Sequence, residues 1–511
     1  MAGETETQLE RTLGLREALM IGVGTMVGAG IFVLPGVAAA LAGPASAGAF
    51  VLAGGIAVLT ALSASELATA MPASGGPYHF INKGLGPLFG SIAGLGNWLG
   101  LAFATAFYAV GFGNYVDPLA ASLNLNLGIV AAVPLTGPQI GGVVAASVFI
   151  AVNYLSTDGT GDLQNVIVVV LLGILGLFTI LGATQVQLSE LTPLFPTGSG
   201  PEVILPTTAL VFVSYLGFAQ VATVAGEIKE PGKNLPRAMV GGVALVTTIY
   251  AVSMLILLGV VPLERIAGKG TAIAIGARAV FGSFGVGVVG VGLLTFGGLL
   301  ATASSANASV LSASRINYAM GRDGLMDRRL SAIHDRFNTP YRSILLTGGL
   351  ILVFIVAGEV NALAKAGSVL HLLVYGLLNV SLVVMRETEA MGYDPSFEVP
   401  GYPVVPVLGA LLSFALVGFM DPQQILLAGA LVLGGVVWYF VYVRDRVEDT
   451  SALAQYRSPP AVEVEVEVDF GIEADAGSGE SVGRGGQGVG SGGLDPDDSS
   501  STTADGSGVD G

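Results

Sequence analysis

The chain of 511 residues contains no cysteine and only three histidines, His79, His334 and His371. The first absence excludes disulfides and any cysteine-ligated metal. The histidines are too few and too scattered to give metal-ligand spacing. Charge is scarce as well: 11% of residues are Asp, Glu, Lys or Arg, against about 25% in ordinary soluble domains. The N-terminus lacks the basic start of a secretory leader, since Glu4, Glu6 and Glu10 precede Arg11 and Arg16. The sequence has no phosphate-binding loop and no nucleophile–base pair, which argues against ATP drive and against an enzyme.

What is present in quantity is apolar sequence. Hydrophobic residues make up 52% of the chain, and mean hydropathy is +0.74. Apolar runs lie near residues 18–42, 46–70, 88–116, 139–155, 164–184, 204–226, 238–261, 281–307, 343–358, 366–385, 403–420 and 424–443. About 20 apolar residues suffice to cross a bilayer as a helix. The pattern therefore predicts an all-α polytopic membrane protein with twelve transmembrane helices. Residues 1–16 form the N-terminus, 17–445 the twelve-span domain and 446–511 a tail.

An even number of spans puts both termini on one side. Arg11, Arg16, Lys83, Lys229, Lys233, Arg237, Arg315, Arg322 and most other basic residues fall in segments on the N-terminal side. The opposite loops hold only Arg265, Lys269, Arg278 and Lys365. This asymmetry predicts cytoplasmic termini in a cell-membrane protein. The net charge of −16 is uneven: from residue 451 onward twelve acidic residues face two basic ones, leaving −10 there and −6 for the remainder. The tail is rich in Gly, Ser and Asp, a composition that predicts a solvated, disordered segment and no nucleic-acid partner. Within it, residues 462–470 alternate at strand period.

The first span carries glycine at Gly22, Gly24, Gly28 and Gly30. A glycine in a helix interior costs roughly 1 kcal/mol relative to alanine. Two readings are open: a helix that breaks at a binding site, or close helix packing through small residues. The sixth span is also interrupted, by Ser214, Gly217 and Gln220. In an inverted repeat of five plus five spans these two occupy corresponding positions, and such a pair marks a transporter's central site.

Five motifs then carry a family resemblance: VGAGIFVLPG (27–36), SELATAMPASGGPYHF (65–80), SYLGFAQVATVAGEIKEPGKNLPRAM (214–239), SRINYAMGRDGLM (314–326) and FEVPGYPVVPVLG (397–409). Over roughly residues 12–443 the chain resembles the amino acid/polyamine/organocation permeases. The resemblance implies the leucine-transporter-like fold, with discontinuous helices 1 and 6 in the inverted repeat plus two further helices. It implies secondary uptake of amino acids or related amines.

An amino acid presents a carboxylate and an ammonium. Backbone amides of Ala29, Gly30 and Ile31, opening a half-helix, suit the carboxylate. Carbonyls near Met26 and Val27, completed by those of Tyr215, Leu216 and Phe218, suit the ammonium. Tyr215 and Phe218 are candidate walls, with Asn97, Leu101 and Ala104 of the third span; ordinary core packing is the alternative. Ala219 stands where many relatives carry an acid, which favours a neutral substrate.

The coupling ion is open between Na+ and H+; no other metal or cofactor is expected. The fifth span has no lysine, the residue some proton-coupled relatives use there. In the eighth, Ala301, Ser304 and Ser305 fit the small-x-x-[ST]-[ST] spacing of sodium-coupled members, with carbonyls of Gly24 and Val27; serines bonding their own helix are the alternative. His371 is a candidate proton carrier or a structural histidine. Rival functions are a cation–chloride cotransporter of the same fold, an amino acid or amine exchanger, and a permease-like sensor.

Overall fold

In a computed structural model, the structure describes residues 11–72, 75–122, 124, 135–155 and 160–457. The tail beyond Arg457, including the alternating stretch at 462–470, lies outside the described residues. Among the described residues the chain is helical throughout, with one isolated bridge between Leu13 and Ile228.

The first apolar run folds as two helices, α1 (Leu15–Met26) and α2 (Ala29–Ala42). Next come α3 (Ser46–Ala70), the short α4 (Pro77–Leu85), the long α5 (Pro87–Ser122), α6 (Gly137–Leu155) and α7 (Thr160–Ala183). The sixth run is α8 (Ile204–Val211), a 3-10 turn at Phe212–Tyr215, and α9 (Phe218–Thr223). Then follow α10 (Pro231–Val260), α11 (Leu263–Ile266), α12 (Ala272–Gly282), α13 (Gly287–Arg322), α14 (Tyr341–Ala357), α15 (Val360–Glu387), α16 (Val404–Gly418), α17 (Pro422–Trp438) and α18 (Ala452–Arg457). Nine helical stretches among the described residues are long and apolar enough to cross a membrane, the first of them running from α1 through α3, and α12, α14 and α16 are shorter apolar helices. Large apolar side chains point outward along them, among them Ile180, Val288, Leu426 and Val441. A soluble protein would bury such a band; a lipid-facing surface requires it.

Each expected apolar run coincides with helical structure among the described residues, but three boundaries move. The eighth was expected at 281–307. Helix α13 begins at Gly287 and runs on to Arg322, because Ser305, Ser309, Ser314 and Asn317 beyond Ser304 are small and buried against neighbouring helices and keep the helix going where hydropathy falls. At the C-terminal end, packing continues past residue 445. Val447 packs with Tyr78, Trp98 and Leu325, Ser451 and Ala452 are buried, and the short helix α18 runs on from there to Arg457. At the other end, α1 starts at Leu15, so the 16/17 boundary falls inside a helix.

Buried polar groups tie the bundle together. Glu66 of α3 is wholly buried and fully satisfied. Arg386 of α15 grips both its oxygens, at 2.6 and 2.7 Å. Tyr393 Oη donates at 2.8 Å and the Val399 amide at 2.6 Å. The Arg386 guanidinium also lies 4.5 Å from the centre of the Tyr402 ring. Nearby, Asn379 of α15 accepts from Ser63 and donates to Thr60, both of α3. In the absence of a hydrophobic force between lipid-facing helices, such bonds and small-residue packing hold a bundle.

Candidate functional site

The first helix stops at Met26, where the polypeptide turns through Val27 (φ −75°, ψ 67°) and Gly28 (φ −124°, ψ −134°). Helix α2 restarts at Ala29. A helix start leaves its first N–H groups without an intrahelical partner, so the amides of Ala29, Gly30 and Ile31 form an anion-seeking end. Glycine is required at the break by close approach: a Cβ on Gly28 would collide with the Ser305 hydroxyl.

The second interruption differs. Between α8 and α9 the chain keeps right-handed dihedrals but tightens to 3-10 geometry. Leu216 and Gly217 accept from Ala219 and Gln220, three residues on. The sixth helix is therefore discontinuous as an α-helix yet is not opened into extended chain. The two interruptions touch: a Cβ on Gly217 would strike Thr25 and Met26, and Thr25 Oγ1 lies 3.2 Å from the Gly217 carbonyl.

Side-chain hydroxyls cap the carbonyls around both interruptions. Tyr250 donates to Met26, Tyr115 to Phe32 at 2.6 Å, Tyr108 to Val213 at 3.3 Å and Tyr375 to Leu216 at 3.3 Å. Ser368 bridges the amide of Val213 and the carbonyl of Leu210. Irregular backbone in a low-dielectric interior needs such partners. None was named from sequence, because each comes from a helix distant along the chain.

A cavity of about 230 Å³ opens beside this crossing. Its inner wall includes Leu216, Ala219, Asn97, Leu101, His371 and Tyr375. At its mouth are Pro72, Gly75, Glu227 and Arg315. Leu13 pairs with the chain at that mouth, its amide donating to Glu227 and its carbonyl accepting from Lys229.

Of the residues expected at the substrate site, Leu216 stands in the cavity wall. Met26, Val27, Ala29, Ile31 and Phe218 are buried and lie outside its lining, and Gly30 packs against Ser214. Phe218 lies against Tyr375, ring centres 5.1 Å apart. The Tyr215 hydroxyl turns toward α3, donating to Phe50 at 2.8 Å. At the expected cation site, Ser305 Oγ lies 3.4 Å from the Thr25 carbonyl, and the Ala301 carbonyl is next to Gly28. Ser304 is buried one residue earlier. The helix-1 carbonyl that Ser305 meets is that of Thr25, beside the expected Gly24 and Val27. His371 Nδ1 sits 2.9 Å from the Gly367 carbonyl one turn back, and its ring faces Tyr375.

A helical bundle of this kind, with an interrupted pair crossing beside a central cavity, defines a multi-pass membrane protein built for solute passage. The profile of one family, described as amino acid permease, matches residues 13–443. The chain belongs to that family: it is a membrane transporter and not an enzyme. It is 29% identical to the branched-chain amino acid permease BcaP of Bacillus subtilis, over 86% of this chain and 94% of the relative. It is 31% identical to the methylthioribose transporter of the same organism, over 85% and 94%. A serine/threonine exchanger, SteT, also of Bacillus subtilis, is 27% identical over 85% and 96%.

Proposed function

We propose that this protein is a secondary active transporter that imports neutral amino acids across the plasma membrane by alternating access, with both termini cytoplasmic. The observation that carries the reading is the cavity whose wall reaches the Leu216 turn beside the α1–α2 break. A zwitterion fits there, its carboxylate toward the amides opening α2 and its ammonium toward carbonyls of the sixth span. The cavity mouth, at Pro72, Glu227 and Arg315, lies on the side that carries the basic loops, which is the inward-open arrangement. BcaP and SteT, named for amino acids, support the substrate class. Among the described residues lining the cavity, Glu227 and Arg315 carry opposite charges and both lie toward its mouth, which favours a neutral side chain at the Leu216 end.

Twelve crossings and an inverted repeat belong to the same proposal. Support comes from matched element orders: an interrupted helix, a long helix, a short helix and a 36-residue helix occur as α1/α2, α3, α4, α5 and again as α8/α9, α10, α12, α13. The like members pack together, α3 on α10 and α5 on α13.

For coupling, Na+ is placed between α1 and α13, where Ser305, Ser304 and the Ala301 and Thr25 carbonyls offer hard oxygen donors. The alternative is H+, with His371 in the cavity wall as carrier. Proteoliposome uptake of a radiolabelled amino acid pool under a sodium or a proton gradient tests both. Sodium-driven accumulation abolished by Ser304→Ala with Ser305→Ala is expected. Accumulation driven by protons alone and unchanged in that double variant overturns the sodium site, and exchange without net accumulation makes the protein an antiporter.

A further inference from the structure

We propose that Tyr375 is the residue by which this transporter recognises an α-amino acid as a zwitterion, its hydroxyl standing on the Leu216 carbonyl until substrate arrives and then turning to the substrate carboxylate. The inference rests on the substrate reading above and names a specificity determinant for the same cavity.

Among the hydroxyl caps described above, Tyr375 and Leu216 are the one pair whose donor and acceptor residues both stand in the cavity wall. The bond is long, 3.3 Å, where O–H···O bonds centre near about 2.7–2.8 Å. Tyr115 and Tyr215, on carbonyls away from the cavity, make bonds of 2.6 and 2.8 Å, whereas Tyr108, also away from it, makes one of 3.3 Å, so the place of Tyr375 in the cavity wall and not bond length alone singles it out. The Leu216 carbonyl also accepts from the Ala219 amide, so both of its lone pairs are engaged. An ammonium can bind there only by displacing a donor, and the phenol is the donor on a side chain. Once displaced, that O–H is buried and needs an acceptor. The substrate's own carboxylate, two bonds from its ammonium, supplies one. The exchange leaves every group paired and gains two charge-assisted bonds. An amine without a carboxylate displaces the hydroxyl and strands it.

The ring is held for this task. Phe212, Phe218 and His371 surround it, with ring centres 6.0, 5.1 and 5.7 Å away. These contacts persist when the hydroxyl is removed, so Tyr375→Phe preserves the packing.

The test is equilibrium binding to the purified full chain at pH 6.5. Radiolabelled L-leucine, L-isoleucine, L-valine, L-serine and L-threonine are used, and the three branched-chain acids are each compared with the primary amine that lacks the carboxyl group, which keeps the ammonium and offers the phenol no acceptor. The parent is expected to prefer the acid at least tenfold. In Tyr375→Phe the preference falls to threefold or less, chiefly because the amine binds more tightly. Tyr108→Phe, which uncaps Val213 outside the cavity wall, keeps the parent ratio. Tyr375→Met is made in parallel and serves if the phenylalanine variant does not fold. An unchanged acid-to-amine ratio in the folded Tyr375 variant overturns the proposal while leaving the substrate reading intact. A parent that binds none of the five amino acids overturns the substrate reading, and the role of Tyr375 falls with it.

Discussion

At Gly28 there is no room for a methyl group, and the reason is a serine almost three hundred positions further along the chain. A Cβ there would meet Ser305. Overpacking a filled interior costs about 1–3 kcal/mol. Gly28→Ala is therefore expected to lower the thermal midpoint in detergent and to cut proteoliposome uptake at least tenfold; wild-type uptake would show that the break tolerates a side chain. His79 offers a pH prediction outside the spans. It sits half-buried on α4, and burial first, with Lys83 and Arg322 adding to it against Asp323, pushes its pKa down to about 4. Between pH 6.5 and 4 the unfolded chain takes up a proton that the folded chain refuses, so stability falls as pH drops through that window. At pH 5 the loss is roughly 2 kcal/mol, at about 1.4 kcal/mol per pH unit. Melting curves of the parent and His79→Gln should diverge below pH 6.5, and parallel curves would remove the effect. From sequence, the glycines signalled a break or close packing, and Gly28 proves to be both.

Among the elements, the clamp between α3 and the end of α15 decides where the segment leading to α16 lies. Glu66 is buried and makes four bonds to Arg386, Tyr393 and Val399. Two of the motifs behind the family resemblance, at 65–80 and 397–409, meet there. Removing one partner of such a pair leaves an uncompensated buried charge, which costs about 3–5 kcal/mol. Arg386→Met is expected to lose that much stability, read as a lowered melting midpoint, and Arg386→Met combined with Glu66→Leu should recover part of it. No recovery in the double variant would mean that the arginine acts through its stacking on Tyr402 alone. Helix positions were legible from hydropathy, because each reports on a local run. The 3-10 form of the sixth helix was not, because Ser368, Tyr108 and Tyr375 stabilise it from other helices. The length of α13 was missed for a similar reason, since its polar end is buried by neighbours rather than by lipid.

For the whole molecule, the absence of cysteine makes topology directly measurable. Single cysteines at Ser312, in the cavity wall, and at Lys269, in the opposite set of loops, should react with a membrane-impermeant thiol reagent from opposite faces. Ser312→Cys is expected to label from the cytoplasmic side and to be protected by transported amino acid. Labelling of both from one face would overturn the orientation.

Sequence by itself determined the class of this protein. Long apolar runs, scarce charge, lopsided basic loops and five motifs in order are properties of neighbouring residues, and neighbours suffice to say that a segment enters a bilayer. Tertiary structure decided which groups face the cavity and which are already occupied. A carbonyl's availability depends on the hydroxyl that packs against it, and Leu216 and Tyr375 stand 159 residues apart. The sequence pointed to the two interrupted spans, and only packing revealed that side chains from α5, α10 and α15 hold their backbone hydrogen bonds.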